Sequence, residues 1–145
     1  MKLYLAHPFL DRYSIRLWED NFEHKTGIDL VNPFYDVNRE DIDLIDAGKK
    51  TRFDVDPEEI VMRDLDAMFN CDGILAVITA KQSIGTIMEI AYAYNNLDGP
   101  IYIVCPPDLE NHPWIQHHAT AIFDCLAGFQ CHMESLVEGA AQCES

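Results

Sequence analysis

Apolar residues along the chain occur in two kinds of run, and these alternate. Short, almost continuous apolar runs are typical of strands buried in a parallel sheet, and they lie here at 3–6, 28–31, 73–79 and 100–105. Stretches with apolar residues at helical spacing follow them, at about 11–25, 57–70, 83–96, 113–122 and, weakly, 136–141. The alternation predicts an α/β fold: a single-domain, doubly wound parallel sheet, flavodoxin- or Rossmann-like, of about five strands with helices on both faces.

One stretch, 36–56, breaks this alternation. It holds many acids, few aliphatic residues and no clear period, which predicts a long surface loop or lid with room for one short helix. A helix then begins where Asp56 offers an N-cap and Pro57 a first helical residue. The length of 145 residues suits one domain spanning 1–145.

Charge and composition exclude several partners. The net charge of −15 repels a phosphate backbone, so polymeric nucleic acid is not expected as a partner, although a small nucleotide in a pocket remains compatible. No apolar run approaches the roughly 20 residues that span a bilayer, and the start does not read as a signal peptide. We therefore expect a cytoplasmic protein without a membrane partner. The five cysteines are scattered and predict reduced thiols, with Cys71 and Cys105 in the core.

Glu89 is the only carboxylate between Ile87 and Tyr94, a stretch that is otherwise mainly apolar. Its neighbours one turn away, Thr86 and Ala93, are small and would leave room for a ligand. A carboxylate in apolar surroundings is costly, and acids of this kind collect at functional sites. The alternative is that Glu89 lies on a narrow solvent-exposed stripe.

Two further features lie on elements next to Glu89 along the chain. Asp64 and Asp66 lie on the preceding helix, and two acids on neighbouring elements can divide the roles of nucleophile and proton donor. Either could instead pair with Arg63 or face solvent. The helix that carries Glu89 begins at Ser83-Ile84-Gly85-Thr86, whose backbone N–H groups could bind a sugar hydroxyl or a phosphate.

Three segments resemble the nucleoside 2-deoxyribosyltransferase family. Tyr4-Leu5-Ala6-His7-Pro8-Phe9 is similar to its opening strand and turn, and Asp64 with the following Asp72-Gly73-Ile74 resembles its acidic helix and central strand. The segment from Ser83 to Ala93 resembles the D-x-G-T-x-x-E-x-G-Y-A block, which is the most specific part. The similarity runs from Lys2 to about Cys105.

The resemblance implies a catalytic set. Glu89 would be the nucleophile that forms a glycosyl ester, Tyr4 would orient its carboxylate, and Asp64 would contact the base and protonate it as it leaves. An oxocarbenium-like centre needs an adjacent anion and a departing base needs a proton, so the chemistry is coherent. The implied activity is transfer of deoxyribose between bases, and it requires no metal or other cofactor.

The resemblance also implies a substrate-binding set, in which three positions depart from the family. His7 replaces a glycine in the first turn beside Phe9, and Ala91 replaces another glycine. Ser83 replaces the acid that binds the sugar 5′-hydroxyl, and a serine there resembles the related deoxynucleoside 5′-monophosphate N-glycosidases. Ser83 would then bind a phosphate together with Gly85 and Thr86, unless it serves only as an N-cap.

Relatives complete the site with a polar side chain from a neighbouring subunit, which implies a homo-oligomer. Thr120 is the best match for that side chain. His117 and His118 lie nearby and suggest a surface pair rather than a metal site, since no third ligand lies at helical spacing.

Three functional hypotheses remain besides base exchange on deoxynucleosides. The first is hydrolysis of deoxynucleoside 5′-monophosphates, which Ser83 favours. The second is a non-catalytic nucleotide-binding module of the same fold. The third is a structural protein in which Glu89 faces solvent and behaves as an ordinary glutamate.

Overall fold

A computed structural model describes residues 1–36, 40–49, 54–81 and 83–144. Five parallel strands form one sheet in the order β2-β1-β3-β4-β5. The strands are β1 (Lys2–Ala6), β2 (Asp29–Val31), β3 (Gly73–Val77), β4 (Ile101–Val104) and β5 (Ala121–Phe123). The helices are α1 (Arg12–Thr26), α2 (Glu40–Asp46), α3 (Pro57–Phe69), α4 (Ile84–Asn96), α5 (Pro113–His118) and α6 (Leu126–Glu144), and a 3₁₀ turn (Phe9–Asp11) precedes α1. The predicted doubly wound sheet of about five strands is confirmed.

The two faces of the sheet are covered by different helices. Alternate residues of the strands point to opposite faces, so Tyr4 packs with α3, α4 and α5, whereas Leu3 and Leu5 pack with α1 and α6. The central strand β3 is buried along its whole length, as its continuous apolar run predicts. The chain leaves β1 towards β2 and leaves β3 towards β4, so a crevice opens between the carboxyl ends of β1 and β3. Ligands bind at such switch points in open α/β sheets.

Helix ends follow the sequence signals. Gly27 adopts a left-handed conformation with φ of 70° directly after α1, and its N–H donates to the Glu23 carbonyl oxygen at 2.9 Å. The Asp56 carboxylate accepts from the Glu58 N–H at 3.1 Å at the start of α3. Cys71 and Cys105 are buried thiols, as expected.

The structure corrects the C-terminal third of the sequence prediction. The helix predicted over 113–122 ends at His118, and β5 follows it. The strand, Ala121-Ile122-Phe123, is a three-residue apolar run inside the predicted helix, too short to mark a strand by itself. The weak helix predicted over 136–141 is the last part of α6, which begins at Leu126 and packs Phe129 and Met133 against the sheet.

Among the described residues of the segment 36–56 there is one short helix, α2, whose Ile42 is buried. Residues 37–39 and 50–53 of that predicted loop lie outside the described residues. Over the described ranges, no helix combines the length and apolar character needed to cross a membrane.

Candidate active site

Three polar side chains meet on the face of the sheet that α3 and α4 cover. Tyr4 lies in the middle of β1 and is fully buried. Asp64 lies in α3 and Glu89 in α4, and these helices pack against each other. The Tyr4 hydroxyl hydrogen-bonds to the Glu89 carboxyl group, and the negative charge of Asp64 acts on the same group. The structure thus brings together the three residues to which the family resemblance assigns catalysis.

Glu89 is strongly perturbed by these surroundings. Burial, followed by repulsion from Asp64, raises its pKa to about 8, although the hydrogen bond from Tyr4 acts in the opposite direction. The residue is partly buried and lies beside the buried stripe of α4, which consists of Thr86, Ile90 and Ala93. A solvent-facing Glu89 with ordinary acidity, as the structural-protein hypothesis requires, is therefore contradicted.

Three small residues lie one turn from Glu89 on α4, and only one of them is exposed. Thr86 and Ala93, the small neighbours noted above, are buried in the core. Gly85, one turn earlier, is exposed, and a Cβ placed on it would lie 4.0 Å from Glu89 Oε1. A Cβ at that distance would make ordinary van der Waals contact with the carboxylate, so Glu89 Oε1 lies over the exposed Gly85.

Ser83 occupies the N-cap position of α4 but does not use its side chain as a cap. Within the described residues its hydroxyl makes no capping hydrogen bond to the backbone and instead donates to the hydroxyl of Thr86. The interpretation of Ser83 as only an N-cap is therefore not supported. Ser83 and Thr86 form a pair of hydroxyls at the start of α4, with Thr86 one turn before Glu89.

His7, which stands where the family has a glycine, is buried. The Asn32 side chain donates to Glu19 at 2.9 Å and accepts from the Phe34 N–H at 3.1 Å, so its oxygen faces His7 Nε2, also at 3.1 Å. His7 Nδ1 lies 3.1 Å from the Pro8 carbonyl oxygen. Burial lowers the pKa of His7, whereas its hydrogen bonds to Asn32 and Pro8 raise it. Both ring nitrogens thus contact protein groups, and His7 shapes the first turn from within.

Glu19 extends this buried network into α1. It is fully buried, and burial raises its pKa to about 7 against the opposing effects of Asn32 and Arg16. Arg16 donates to Glu19 Oε1 at 3.1 Å. Phe9 lies at the outer edge of this region, partly buried, with its ring 5.6 Å from that of Phe34.

An ionic bridge that the sequence did not predict joins the carboxyl ends of β1 and β3. Asp11 Oδ1 lies 2.6 Å from Lys81 Nζ, and Asp11 Oδ2 accepts from the Thr79 hydroxyl at 2.8 Å. Burial opposes ionisation of Asp11, but the hydrogen bonds from Lys81 and Thr79 and the charge of Lys81 outweigh it and lower the pKa. One signal was available: Lys81 is the only Lys or Arg after Arg63.

Thr120 lies apart from these residues in the same chain. Its hydroxyl accepts from the Ile101 N–H at 2.9 Å, at the amino end of β4, whereas Ser83 and Asp11 lie near the carboxyl ends of the strands. His117 and His118 pack against Tyr94 with ring centroids 5.1 and 4.8 Å away. In the part of the chain that the structure describes, no three His, Cys, Asp or Glu side chains are grouped so as to hold a metal ion.

Solved structures with the same architecture include enzymes that act on nucleosides or nucleotides. The chain is similar to a 2-deoxyribosyltransferase from Bacillus psychrosaccharolyticus, with 18% identity, a TM-score of 0.62 and 90% of each chain covered. It is also similar to a CMP N-glycosidase, BcmB, from Clostridium botulinum, with 15% identity, a TM-score of 0.60 and coverage of 94% of this chain and 99% of that one.

A conserved protein from Enterococcus faecalis V583 has 15% identity, a TM-score of 0.66 and coverage of 93% of this chain and 98% of that one. No protein-family model matches the chain, and no curated protein matches it in sequence. At these identities the likeness establishes the fold. The resemblance to the nucleoside 2-deoxyribosyltransferase family is thereby confirmed at the level of architecture, and the chain has the fold of a 2-deoxyribosyltransferase and of a CMP N-glycosidase.

Proposed function

We propose that this protein cleaves the N-glycosidic bond of 2′-deoxyribonucleosides through a covalent glycosyl-Glu89 intermediate and transfers the deoxyribose to another base. The observation that carries the proposal is the convergence of Glu89, Asp64 and Tyr4 in one partly buried site. A structural carboxylate rarely lies in apolar surroundings beside a second carboxylate, because the arrangement costs stability. The neighbouring 2-deoxyribosyltransferase structure supports the same chemistry.

The reaction takes place in two displacements at C1′ of the sugar. In the first, a Glu89 carboxylate oxygen forms a bond to C1′ while the C1′–N bond breaks, and its electron pair moves to the departing base. Asp64 donates the proton that this base requires. In the second, a nitrogen of the incoming base attacks C1′, the ester bond to Glu89 breaks, and Asp64 recovers a proton from the acceptor.

The two carboxyl groups are suited to share one proton. Because the charge of Asp64 raises the pKa of Glu89, the state with both groups ionised is disfavoured at neutral pH. In the free protein the shared proton lies on Glu89, whose pKa is the raised one, and its transfer to Asp64 when substrate binds provides the nucleophile and the acid at once. Tyr4 favours this transfer, since its hydroxyl stabilises the ionised form of Glu89.

A base-exchange assay tests the proposal directly. We expect deoxynucleosides incubated with a second free base to give the exchanged deoxynucleoside, detected by mass, and Glu89→Gln to abolish that product. Rapidly quenched wild-type protein should carry one added deoxyribosyl mass on Glu89. Glu138→Gln, a substitution of an exposed acid in α6, is the matched control and should retain activity. Full activity of Glu89→Gln would refute the covalent mechanism.

Hydrolysis of 2′-deoxynucleoside 5′-monophosphates is the second candidate, and the Ser83–Thr86 hydroxyl pair favours it. Hydroxyl groups donate to a phosphate, whereas the aspartate of deoxyribosyltransferases would repel it. The structural neighbour BcmB is a CMP N-glycosidase. Water would then replace the second base in the second displacement. A mass screen that includes 5′-monophosphates separates this activity from base exchange, and a bound ligand that stays intact would instead indicate a nucleotide-binding module.

We also propose that the protein is a homo-oligomer in which Thr120 contributes to a neighbouring copy's site. The outer side of α4 supports an interface, because Ile84, Ile87, Met88 and Tyr92 are exposed there. Large exposed apolar groups on one helix are typical of protein contacts. A cytoplasmic enzyme of nucleotide salvage is the biological setting that this chemistry suggests.

A further inference from the structure

The carboxyl ends of β1 and β3 are joined by one acidic residue. Asp11 lies in the turn after β1, and its two oxygens contact Thr79 and Lys81, which both follow β3. Lys81 Nζ also lies 3.5 Å from the Leu10 carbonyl oxygen. The bridge therefore lies at the switch point of the sheet, where open α/β folds bind ligands.

Lys81 is unusual in its charge environment. The chain has a net charge of −15, and no other Lys or Arg occurs after Arg63, so α4, β4, α5, β5 and α6 contain neither. The Lys81 side chain is about half exposed, with 49% of its surface accessible, whereas that of Asp11 is largely buried at 13%. An exposed ammonium on a flexible stem can exchange partners at little cost, because solvent screens surface ion pairs.

The sequence positions of Lys81, Ser83 and Glu89 suit a ligand that extends from Glu89 towards the start of α4. Lys81 lies two residues before Ser83, and Ser83 lies six residues before Glu89. Six residues of α-helix span about 9 Å. The 5′ substituent of deoxyribose is carried by C4′, across the ring oxygen from C1′, so a 5′-phosphate extends away from the reacting carbon. A sugar with C1′ at Glu89 and its 5′ end towards the start of α4 places the 5′ group near Ser83 and Lys81.

We propose that Lys81 is the specificity-determining cation that binds the 5′-phosphate of a nucleoside monophosphate, and that Asp11 holds it in place until the phosphate arrives. This inference rests on the proposed N-glycosidic cleavage and, of the two candidate substrate classes, selects the 5′-monophosphate over the free deoxynucleoside. A phosphate dianion competes with the single charge of Asp11 for the ammonium, and charge-assisted hydrogen bonds make the exchange favourable. A 5′-hydroxyl carries no charge and cannot displace Asp11.

The test compares one deoxynucleoside 5′-monophosphate with the same deoxynucleoside, using the base that the mass screen favours. We expect wild-type protein to prefer the monophosphate in kcat/KM. Lys81→Gln should lower the ratio of the two kcat/KM values about 10- to 100-fold, through KM of the monophosphate. Lys81→Arg should restore most of the ratio, and Asp11→Asn should raise it. Lys25→Gln, an exposed lysine in the last turn of α1, is the control and should leave the ratio as it is.

The outcomes separate this inference from the proposed function. An unchanged ratio in Lys81→Gln, an equal loss on both substrates or a wild-type preference for the free 5′-hydroxyl would overturn the role of Lys81. A second measurement does not depend on turnover: calorimetric binding of the monophosphate to Glu89→Gln should weaken about 10- to 100-fold when Lys81→Gln is added. If that binding depends on Lys81 but wild-type protein cleaves no nucleoside or nucleotide, the proposed cleavage fails while the phosphate site stands.

Discussion

At the scale of single residues, Glu89 shows how one side chain can serve chemistry at the expense of stability. Its carboxyl group lies in apolar surroundings beside Asp64, and both features disfavour the ionised form that a nucleophile needs. The Tyr4 hydrogen bond is the one contribution that favours ionisation. The acidity of Glu89 is therefore set by two neighbours that act in opposite directions, which makes their effects separable by substitution.

Substitutions of the two neighbours should shift the pKa of Glu89 in opposite directions. Asp64→Asn removes a repelling charge and should lower that pKa, whereas Tyr4→Phe removes the stabilising hydrogen bond and should raise it. Each shift should be about one unit, and the carboxyl carbon resonance of Glu89 followed by NMR across pH reports it. Asp66→Asn, on the same helix but exposed, is the control. Shifts of the same sign in both variants would contradict the arrangement described.

The raised pKa of Glu89 also predicts how the free energy of unfolding depends on pH. Folded Glu89 keeps its proton to about pH 8, whereas the unfolded chain loses it near 4.5. Unfolding therefore releases a proton between these values, and stability falls as pH rises through this window by up to about 1.4 kcal/mol per unit. Glu89→Gln should be more stable than wild type at pH 8, by roughly 2–4 kcal/mol, with little difference at pH 4.5.

Urea denaturation between pH 4.5 and 8 checks this expectation. Glu138→Gln, which replaces an exposed acid, should follow the wild-type curve. Glu19 contributes a similar dependence in a lower window, because burial raises its pKa to about 7, so Glu89→Gln should reduce the slope without removing it. A Glu89→Gln curve parallel to that of wild type would show that Glu89 titrates normally in the folded protein.

At the scale of elements, a buried polar network joins α1, the turn after β1 and the end of β2. Asn32 is its centre, since it is fully buried and its side chain contacts Glu19, His7 and the Phe34 N–H. Asn32→Ala leaves these groups buried without a partner and should destabilise the fold by about 2–4 kcal/mol. Asn95→Ala, which removes an exposed bond to the Ala91 carbonyl oxygen, should cost less than about 0.5 kcal/mol. Equal losses in urea denaturation would contradict the central role of Asn32.

The elements also show what sequence can and cannot predict. The apolar runs predicted four strands, three of them buried along most of their length, whereas the run of β5 has only three partly buried residues and follows a short helix. Gly27 and Asp56 marked helix ends because their signals are local. The network of His7, Asn32 and Glu19 was not predicted, since its members come from three elements and each polar residue alone is unremarkable.

The candidate site, too, could be predicted from the sequence only in part. The resemblance selected Tyr4, Asp64 and Glu89, but only the folded chain shows that the three interact. Spacing could not reveal that Lys81 contacts Asp11, 70 residues earlier in the chain. The contact of Gly85 with the Glu89 carboxylate could not be predicted either, because it depends on which face of α4 packs against the core.

At the scale of the whole molecule, two features act in opposite directions on assembly. A net charge of −15 makes two copies repel each other. The outer side of α4 nevertheless exposes Met88 by 60% and Ile84 by 63%, next to the proposed nucleophile. Burial of apolar surface between copies would offset the repulsion, and added salt would screen it. The affinity between copies that associate through this surface should therefore increase with ionic strength. In an oligomer held by ion pairs the affinity would decrease instead.

Met88→Glu should dissociate such an oligomer, because it places a charge in the apolar contact and adds to the repulsion between copies. Sedimentation velocity at low and high ionic strength measures both effects. Leu17→Glu is the matched control, since Leu17 is 79% exposed on α1, in the layer on the opposite face of the sheet. If Thr120 of one copy serves the site of another, Met88→Glu should lose activity at concentrations where it is monomeric and recover part of it when concentrated. A monomeric wild type with full activity would show that one chain completes the site by itself.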